Sequence, residues 1–390
     1  MKWEKVLLGE VTDSCLGKML DQEKNRGEYQ PYLANVDVRW GSFNLDDLSE
    51  MRFEKDEQER YGLKYGDLVV CEGGEPGRCA IWKNQIPNMK IQKALHRVRV
   101  HDCLDYRYLY YWFLLAGKTG GLEQYFTGAT IKHMPGQKLK SVVIDKPPIG
   151  IQRSIADVLS SYDDLIENNQ KQIKLLEEAA QRLYKEWFVD LRFPGHENTK
   201  ITDGVPEGWK IQTLSQIADV VMGQSPKSEF YNQNGQGLPF HQGVGSYGTR
   251  FVVDKIYSTS FTRIAEAGSI LFSVRAPVGR LNLTRNRVVI GRGLAAVNHR
   301  LGKQSYLFYL LKEHFFKDDV IGNGAIFASI SKDELLAQQF TIPVSNLIEQ
   351  FNVIVNDMDG RIAELAEQVT LLIEARDRLL PKLMSGEIEL

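Results

Sequence analysis

GDLVVCEGGEPGR, residues 66–78, returns 202 positions later as GSILFSVRAPVGR, residues 268–280, closing both times on Gly-Arg. In each copy a short apolar run, 68–71 and 270–274, starts after Gly-Asp or Gly-Ser and stops at a Gly/Pro turn, the pattern of a buried strand. Working outward, Trp3, Leu8, Val11, Asp13 and Gly17 match Trp209, Leu214, Ile217, Asp219 and Gly223 at an offset of 206. Tyr108-Leu-Tyr-Tyr matches Tyr306-Leu-Phe-Tyr at 198, and from Gly128 with Gly324 to Trp187 with Leu383 the offset stays at 196. Shrinking offsets with the order preserved mean loops of unequal length between the same elements, so the chain reads as two copies of one unit.

Each copy reads as a mixed domain followed by a long helix. Tyr106 to Leu115 and Ser305 to Phe316 have the apolar density of a buried helix. Extended segments close both domains at Pro147-Pro148 and Pro343, because the residue before proline resists the helical region. Beyond them, apolar seam positions step by four and three for about forty residues. One extra step of four, Tyr162 to Ile166 and Met358 to Ile362, is a stutter placed identically in both copies. At 1.5 Å per residue such helices are about 60 Å long, more than a compact domain needs for its own core. Matching stripes of that length should pack antiparallel as a spacer, with residues 195–200 leaving room for the chain to reverse. The fold class expected is α+β: two tandem mixed α/β domains separated by two long antiparallel coiled-coil helices, with pseudo-two-fold symmetry. The boundaries expected are 1–147, 148–200, 201–343 and 344–390.

The chain of 390 residues carries a net charge of −2, yet the charge is uneven. Residues 206–345 hold 15 Lys and Arg against 10 acids, while the helical stretches are acidic, 7 against 9 for 148–200 and 4 against 9 for 346–390. Two windows hold cations and no acid. Between Glu75 and Asp102 lie Arg78, Lys83, Lys90, Lys93, Arg97 and Arg99; between Glu266 and Glu313 lie Arg275, Arg280, Arg285, Arg287, Arg292, Arg300, Lys303 and Lys312. A single such run is ordinarily a solvated face, but two in register on a net-acidic chain point to phosphate contact. Arginine also grips guanine with two hydrogen bonds. Polar and aromatic groups near turns, among them Gln233, Asn234, His241, Gln242 and Tyr247, are candidates for reading base edges and equally for ordinary loop groups.

Motifs for catalysis are missing. The one Pro-Pro is followed by Ile149 rather than by the aromatic residue that presents a base for methylation. Gly243-Val-Gly-Ser-Tyr-Gly248 fits the dinucleotide fingerprint by letter without a strand before it or a helix after it. No P-loop occurs, no lysine has an acid two residues before it, and the seven histidines form no H-E-x-x-H pair. The four cysteines, Cys15, Cys71, Cys79 and Cys103, lack zinc-knuckle spacing and read as reduced thiols in packed or half-buried places. With no apolar run of 18 residues and no signal peptide, a cytoplasmic protein is expected.

Pro147 to Gln152, Glu178-Ala-Ala-Gln-Arg-Leu183, Gly208-Trp-Lys, Ile342-Pro343 and the closing Glu374-Ala-Arg-Asp-Arg-Leu-Leu-Pro-Lys-Leu-Met-Ser-Gly386 occur in an order that resembles the specificity subunit of type I restriction-modification enzymes over the whole chain. One departure is that Gln350 lies seven residues past Pro343, whereas Gln152 lies five past Pro147. The resemblance implies a non-catalytic subunit with two target-recognition domains, each reading half of a bipartite asymmetric site on double-stranded DNA. The helices would then serve as ruler and as dock for two modification (methyltransferase) subunits, with restriction subunits joining that core. No cofactor is expected of this chain, since S-adenosylmethionine, ATP and magnesium would belong to the partners. DNA contact falls to Arg78, Lys83, Lys93, Arg97, Arg99, Arg275, Arg280, Arg285, Arg287 and Arg292. Partner docking falls to Leu176, Leu183, Trp187, Leu372, Leu379 and Leu383. The competing readings are a coiled-coil scaffold that binds only protein and a solitary fused DNA methyltransferase.

Overall fold

A computed structural model of the chain describes residues 3–21, 25–316 and 329–390; Gly324 lies outside them. The chain divides into two units, one formed by residues up to Asn169 together with Glu367–Leu390, the other by Gln170–Ala366.

The first unit is built on a four-stranded antiparallel sheet in the order Thr12–Leu16, Leu95–Val100, Leu68–Cys71, Cys79–Ile81. Glu4–Leu7 pairs with Val143–Lys146, so the last strand before the long helix is pinned to the first strand of the domain. A separate three-stranded sheet runs Glu50–Phe53, Glu28–Leu33, Lys90–Ile91, with a parallel step that sets Leu33 beside Ile91. The helix Tyr106–Thr119 starts where the Asp105 carboxylate accepts from the main-chain amides of Arg107 and Tyr108, and stops at Gly120 in the left-handed region (φ 75°). Its apolar residues fill one core together with Leu68, Val70 and Val98 of the sheet and Ile155, Ala156, Leu159, Leu380, Leu383 and Met384 of the long helices.

The second unit repeats this plan. Its sheet runs Ala218–Met222, Leu294–His299, Ile270–Ser273, Leu281–Leu283, and Lys210–Thr213 pairs with Gln339–Ile342. The parallel step recurs as His241 beside Ile290. The helix Gln304–Phe316 packs with Ala180, Tyr184, Trp187, Leu347, Phe351 and Val355 of the long helices.

Both long helices are continuous, Ile149–Phe188 and Ser345–Ser385. Inside the first unit Asp163 meets Arg376 and Asn169 meets Gln368. Inside the second, Ile173 packs with Ile362 and Leu365, and Trp187 with Phe351. In each unit one number rises as the other falls, so the helix segments pair antiparallel. The stutter now has a purpose. The extra step of four carries Asp163, which accepts from the Tyr111 hydroxyl (2.6 Å), and in the second copy Asp359, which accepts from the hydroxyls of Ser305 (2.6 Å) and Tyr309 (3.4 Å).

Gln152 is fully buried; its side-chain NH2 donates to the Pro147 carbonyl (2.7 Å) and its oxygen accepts from the Asp105 amide (2.8 Å). At the equivalent position the second copy has buried Ile348, while Gln350 is exposed and Gln304 accepts from the His299 amide instead. The altered proline-to-glutamine spacing is therefore a change of residue, with Ile348 standing where the first copy has Gln152. Among the described residues no helix is long and apolar enough to cross a membrane, and no group of three His, Cys, Asp or Glu could hold a metal ion. Cys71 and Cys79 are buried, and burial pushes the Cys71 thiol up to about 11; Cys103 is exposed, against the expectation of a packed thiol.

Candidate nucleic-acid interface

Antiparallel pairing brings three loops of the second unit to one end of its sheet. They follow Met222, join Ser273 to Leu281, and precede Leu294. The first loop's Gly223 amide donates to the Leu294 carbonyl (2.9 Å), and the Val274 amide to that of Gly293 (2.9 Å). The strand-end loop at His241 joins them, with the Gly291 amide donating to the His241 carbonyl and that of Gly293 to Gln242. A Cβ on Gly223 would sit 2.1 Å from the Gly291 carbonyl oxygen, and one on Gly293 2.4 Å from that of Gln242. Only glycine lets the backbones approach so closely. Arg292 and Gln242 stand exposed at this junction. A guanidinium and a primary amide are the groups that pair bidentately with guanine and adenine edges.

The first unit builds the same junction. The Gly17 amide donates to the Leu95 carbonyl (2.9 Å), that of Lys93 to Lys18, and that of Glu72 to Ala94. Lys93, exposed, takes the place of Arg292.

Beside each junction lies the turn that opened the repeat. The Gly77 amide donates to the Cys71 carbonyl and the Gly279 amide to that of Ser273, both at 2.9 Å, with both glycines left-handed (φ 89° and 86°). The contents differ over this shared frame. Glu72-Gly-Gly-Glu-Pro76 in the first unit stands against Val274-Arg-Ala-Pro-Val278 in the second, so exposed Glu75 answers exposed Pro277, and Gly73 answers exposed Arg275. Arg78 is half-buried, donating to the Asn35 carbonyl (3.1 Å) and facing Glu75 (3.2 Å). Its repeat partner Arg280 is exposed.

The acid-free windows do not form one face. Arg78 and Lys93, like Arg275, Arg280 and Arg292, lie at the junction end. Arg285 and Arg287 follow Leu283 at the opposite end, Arg285 over the Phe251 ring (4.6 Å to its centre) and Arg287 paired with Glu266 (3.1 Å). Lys83 reaches Glu167 of the long helix (2.8 Å), and Arg99 forks onto Asp67 with two 2.7 Å bonds. Buried Arg97 is committed to the carbonyls of Glu59, Arg60 and Gly62. Desolvated main-chain oxygens hold this guanidinium, so it ties loops together rather than facing a phosphate. Trp187 and Leu383 likewise lie inside the cores of their own units, and Leu176, Leu183, Leu372 and Leu379 are half-buried. Of the helix leucines facing outward, Leu175 (54 % exposed) and Leu371 (57 %) are made equivalent by the 196-residue offset, whereas exposed Leu165 is answered by Arg361. The spacing argument does not single out Leu175 and Leu371, because it places their neighbours Leu176 and Leu372 on the seam.

The family model for the type I restriction modification DNA specificity domain matches residues 1–178 and again 206–375. A putative type I restriction enzyme MjaX specificity subunit of Methanocaldococcus jannaschii is 32 % identical over 258 residues, 64 % of this chain and 60 % of that protein, so the alignment spans about three fifths of this relative. The MjaIX specificity subunit of the same organism is 27 % identical over 339 residues, 83 % of this chain and 78 % of that protein. Among solved structures, the type I restriction-modification S subunit from M. genitalium superimposes with a TM-score of 0.59 at 18 % identity, covering 98 % of this chain and 96 % of that one, a likeness of fold. The chain belongs to the type I restriction-modification DNA specificity family, whose members recognise DNA and are not themselves the catalyst. The scaffold and fused-methyltransferase readings have no support from these likenesses.

Proposed function

We propose that each unit reads one half of a bipartite, asymmetric DNA site through its three-loop junction, with Lys93 and Arg78 on one side and Arg292, Arg275 and Arg280 on the other. The observation that carries this is one backbone frame displayed twice with different side chains. Equal frames give equal geometry toward a duplex, while Glu75 against Pro277 and Gly73 against Arg275 give different sequence preferences, so the halves of the site are unlike. Phosphate positioning comes from the exposed cations and registers each unit on its half.

The long helices set the unread spacing and dock two modification subunits. Leu175, Glu178 and Arg182 recur as Leu371, Glu374 and Arg378, exposed in both helices. Identical exposed triplets offer two equivalent places to one kind of partner. S-adenosylmethionine chemistry belongs to that partner, and a restriction subunit and a cytoplasmic setting complete the reading.

Sequencing of modified bases in cells carrying this gene together with a modification-subunit gene, against a deletion, should reveal one split motif with unlike halves. A contiguous palindrome would refute the reading. Leu175→Glu and Leu371→Glu should each remove one modification subunit from the assembled complex, read by native mass measurement.

A further inference from the structure

Arg250 lies outside both acid-free windows, yet it is among the most buried charges of the second unit (3 % exposed). It sits at the tip of a tight hairpin in which the Gly248 amide donates to the Phe251 carbonyl (3.1 Å) and Tyr247 bridges Val252. Its guanidinium lies 3.7 Å from the Phe308 ring centre, pairs with Asp359 (2.5 Å) on one long helix, and approaches Glu177 (3.8 Å) on the other. The neighbouring Phe251 packs on Ile173, Ile362 and Leu365 of the same helices. Eight residues upstream of Arg250 is Gln242, exposed at the reading junction. The segment 242–250 therefore runs from the junction to the helix pair, and the Val253 amide closes it back onto the Ser246 carbonyl (2.8 Å).

The first unit solves the same electrostatic problem differently. Asp163, the repeat partner of Asp359, is paired with Arg376 (2.5 Å), which comes from the other long helix and not from the domain. At the position equivalent to Arg376 the second copy has buried Ala180. The corresponding strap of the first unit ends on its own domain, Phe43 edge-on to Trp82 (5.4 Å), and among the described residues the ion pairs from that domain to the long helices, Lys83–Glu167, Arg107–Asp157 and Lys118–Asp377, come from outside the strap.

We propose that Arg250 is a positioning residue for recognition: its clasp on Asp359 fixes the far end of the strap whose near end presents Gln242 beside Arg292, and so sets the selectivity of the half-site read by the second unit alone. This rests on the DNA-reading role proposed above. The pair's electrostatic contribution and its mechanical one are separable, because the first unit shows that an arginine from the opposite helix can neutralise the equivalent aspartate.

The test uses the enzyme assembled with its modification subunits and DNA carrying single base changes in either half-site, the half belonging to the second unit being identified by exchange of residues 206–343. Arg250→Met should lower the melting temperature and reduce discrimination at that half-site by about tenfold, the size of one good base contact, with the other half unchanged. Adding Ala180→Arg should recover the melting temperature without recovering discrimination. If the methionine variant does not fold, Arg250→Lys, which keeps the charge without the planar fork, should fold and show the same one-sided relaxation. Wild-type discrimination in the methionine or lysine variant, equal relaxation of both halves, or recovery of discrimination by Ala180→Arg would each overturn the proposal. Failure of the wild-type assembly to discriminate sequence at all would instead overturn the underlying reading.

Discussion

Arg292 and Lys93 carry the same prediction from two sides. Each is exposed at its junction and, among the described residues, in no side-chain ion pair. Reversal of either to glutamate should weaken DNA binding by the assembled enzyme and flatten the dependence of log affinity on log salt by about one unit per lost phosphate contact. Unchanged slope in both variants would make these residues solvated surface. His96 belongs to a different balance. It is buried, with Nε2 3.0 Å from the Met134 carbonyl; burial pushes its pKa below the ordinary 6.5, and the carbonyl contact offsets that in part. A histidine held neutral in the fold is protonated more readily in the unfolded chain, so stability is full above about pH 6.5 and is lost as pH falls below it. Melting followed between about pH 7.5 and 5 should show this loss, and His96→Gln should make the curve shallower. Of the residues proposed from sequence, the junction cations stood in turns where glycine and alternating strands announced exposure. Arg97 did not betray its burial, because one-dimensional charge counting cannot see that a strand residue points at three carbonyls.

At the level of the helices, the stutter was visible in the spacing of apolar residues, and so was the antiparallel pairing. What the extra step carries was not visible, since it depends on Tyr111 and Tyr309 meeting Asp163 and Asp359 from helices far away in sequence. Register is held by polar cross-links such as Asn169 to Gln368 (3.1 Å) as well as by the apolar seam. Four residues inserted after Asn169 alone should therefore buckle one helix against the other and lower stability. Four inserted after both Asn169 and Leu365, equivalent positions under the repeat, should keep the seam continuous. In the proposed ruler, an added rise of about 6 Å should lengthen the unread spacer by one or two base pairs while leaving both half-sites intact. Modified-base mapping of the two insertion variants checks this, and altered half-site sequences would count against the ruler.

For the molecule as a whole, the duplication was legible because its anchors, the Gly-Arg turns and the Tyr-Leu pairs, are structural necessities. The asymmetry between copies was less so: Ala180 against Arg376 looks like noise until Arg250 is seen to fill the gap. Exchange of residues 206–343 with those of another specificity subunit should change one half of the recognised site and leave the other, as methylome sequencing would show. The division into units has a consequence for biosynthesis. The first unit closes its core with Leu380, Leu383 and Met384, and the Trp3 indole donates to the Met384 carbonyl (3.1 Å), so residues nearly four hundred apart must meet. Everything in the second unit lies in the unbroken stretch Gln170–Ala366. As the chain emerges from the ribosome, the unit encoded later can therefore finish folding first, while the earlier one waits, its apolar helix face uncovered, for the last turns to arrive. Nascent chains stalled on a C-terminal linker long enough to carry residue 370 clear of the ribosomal exit should accordingly resist protease in the second unit and be cut in the first.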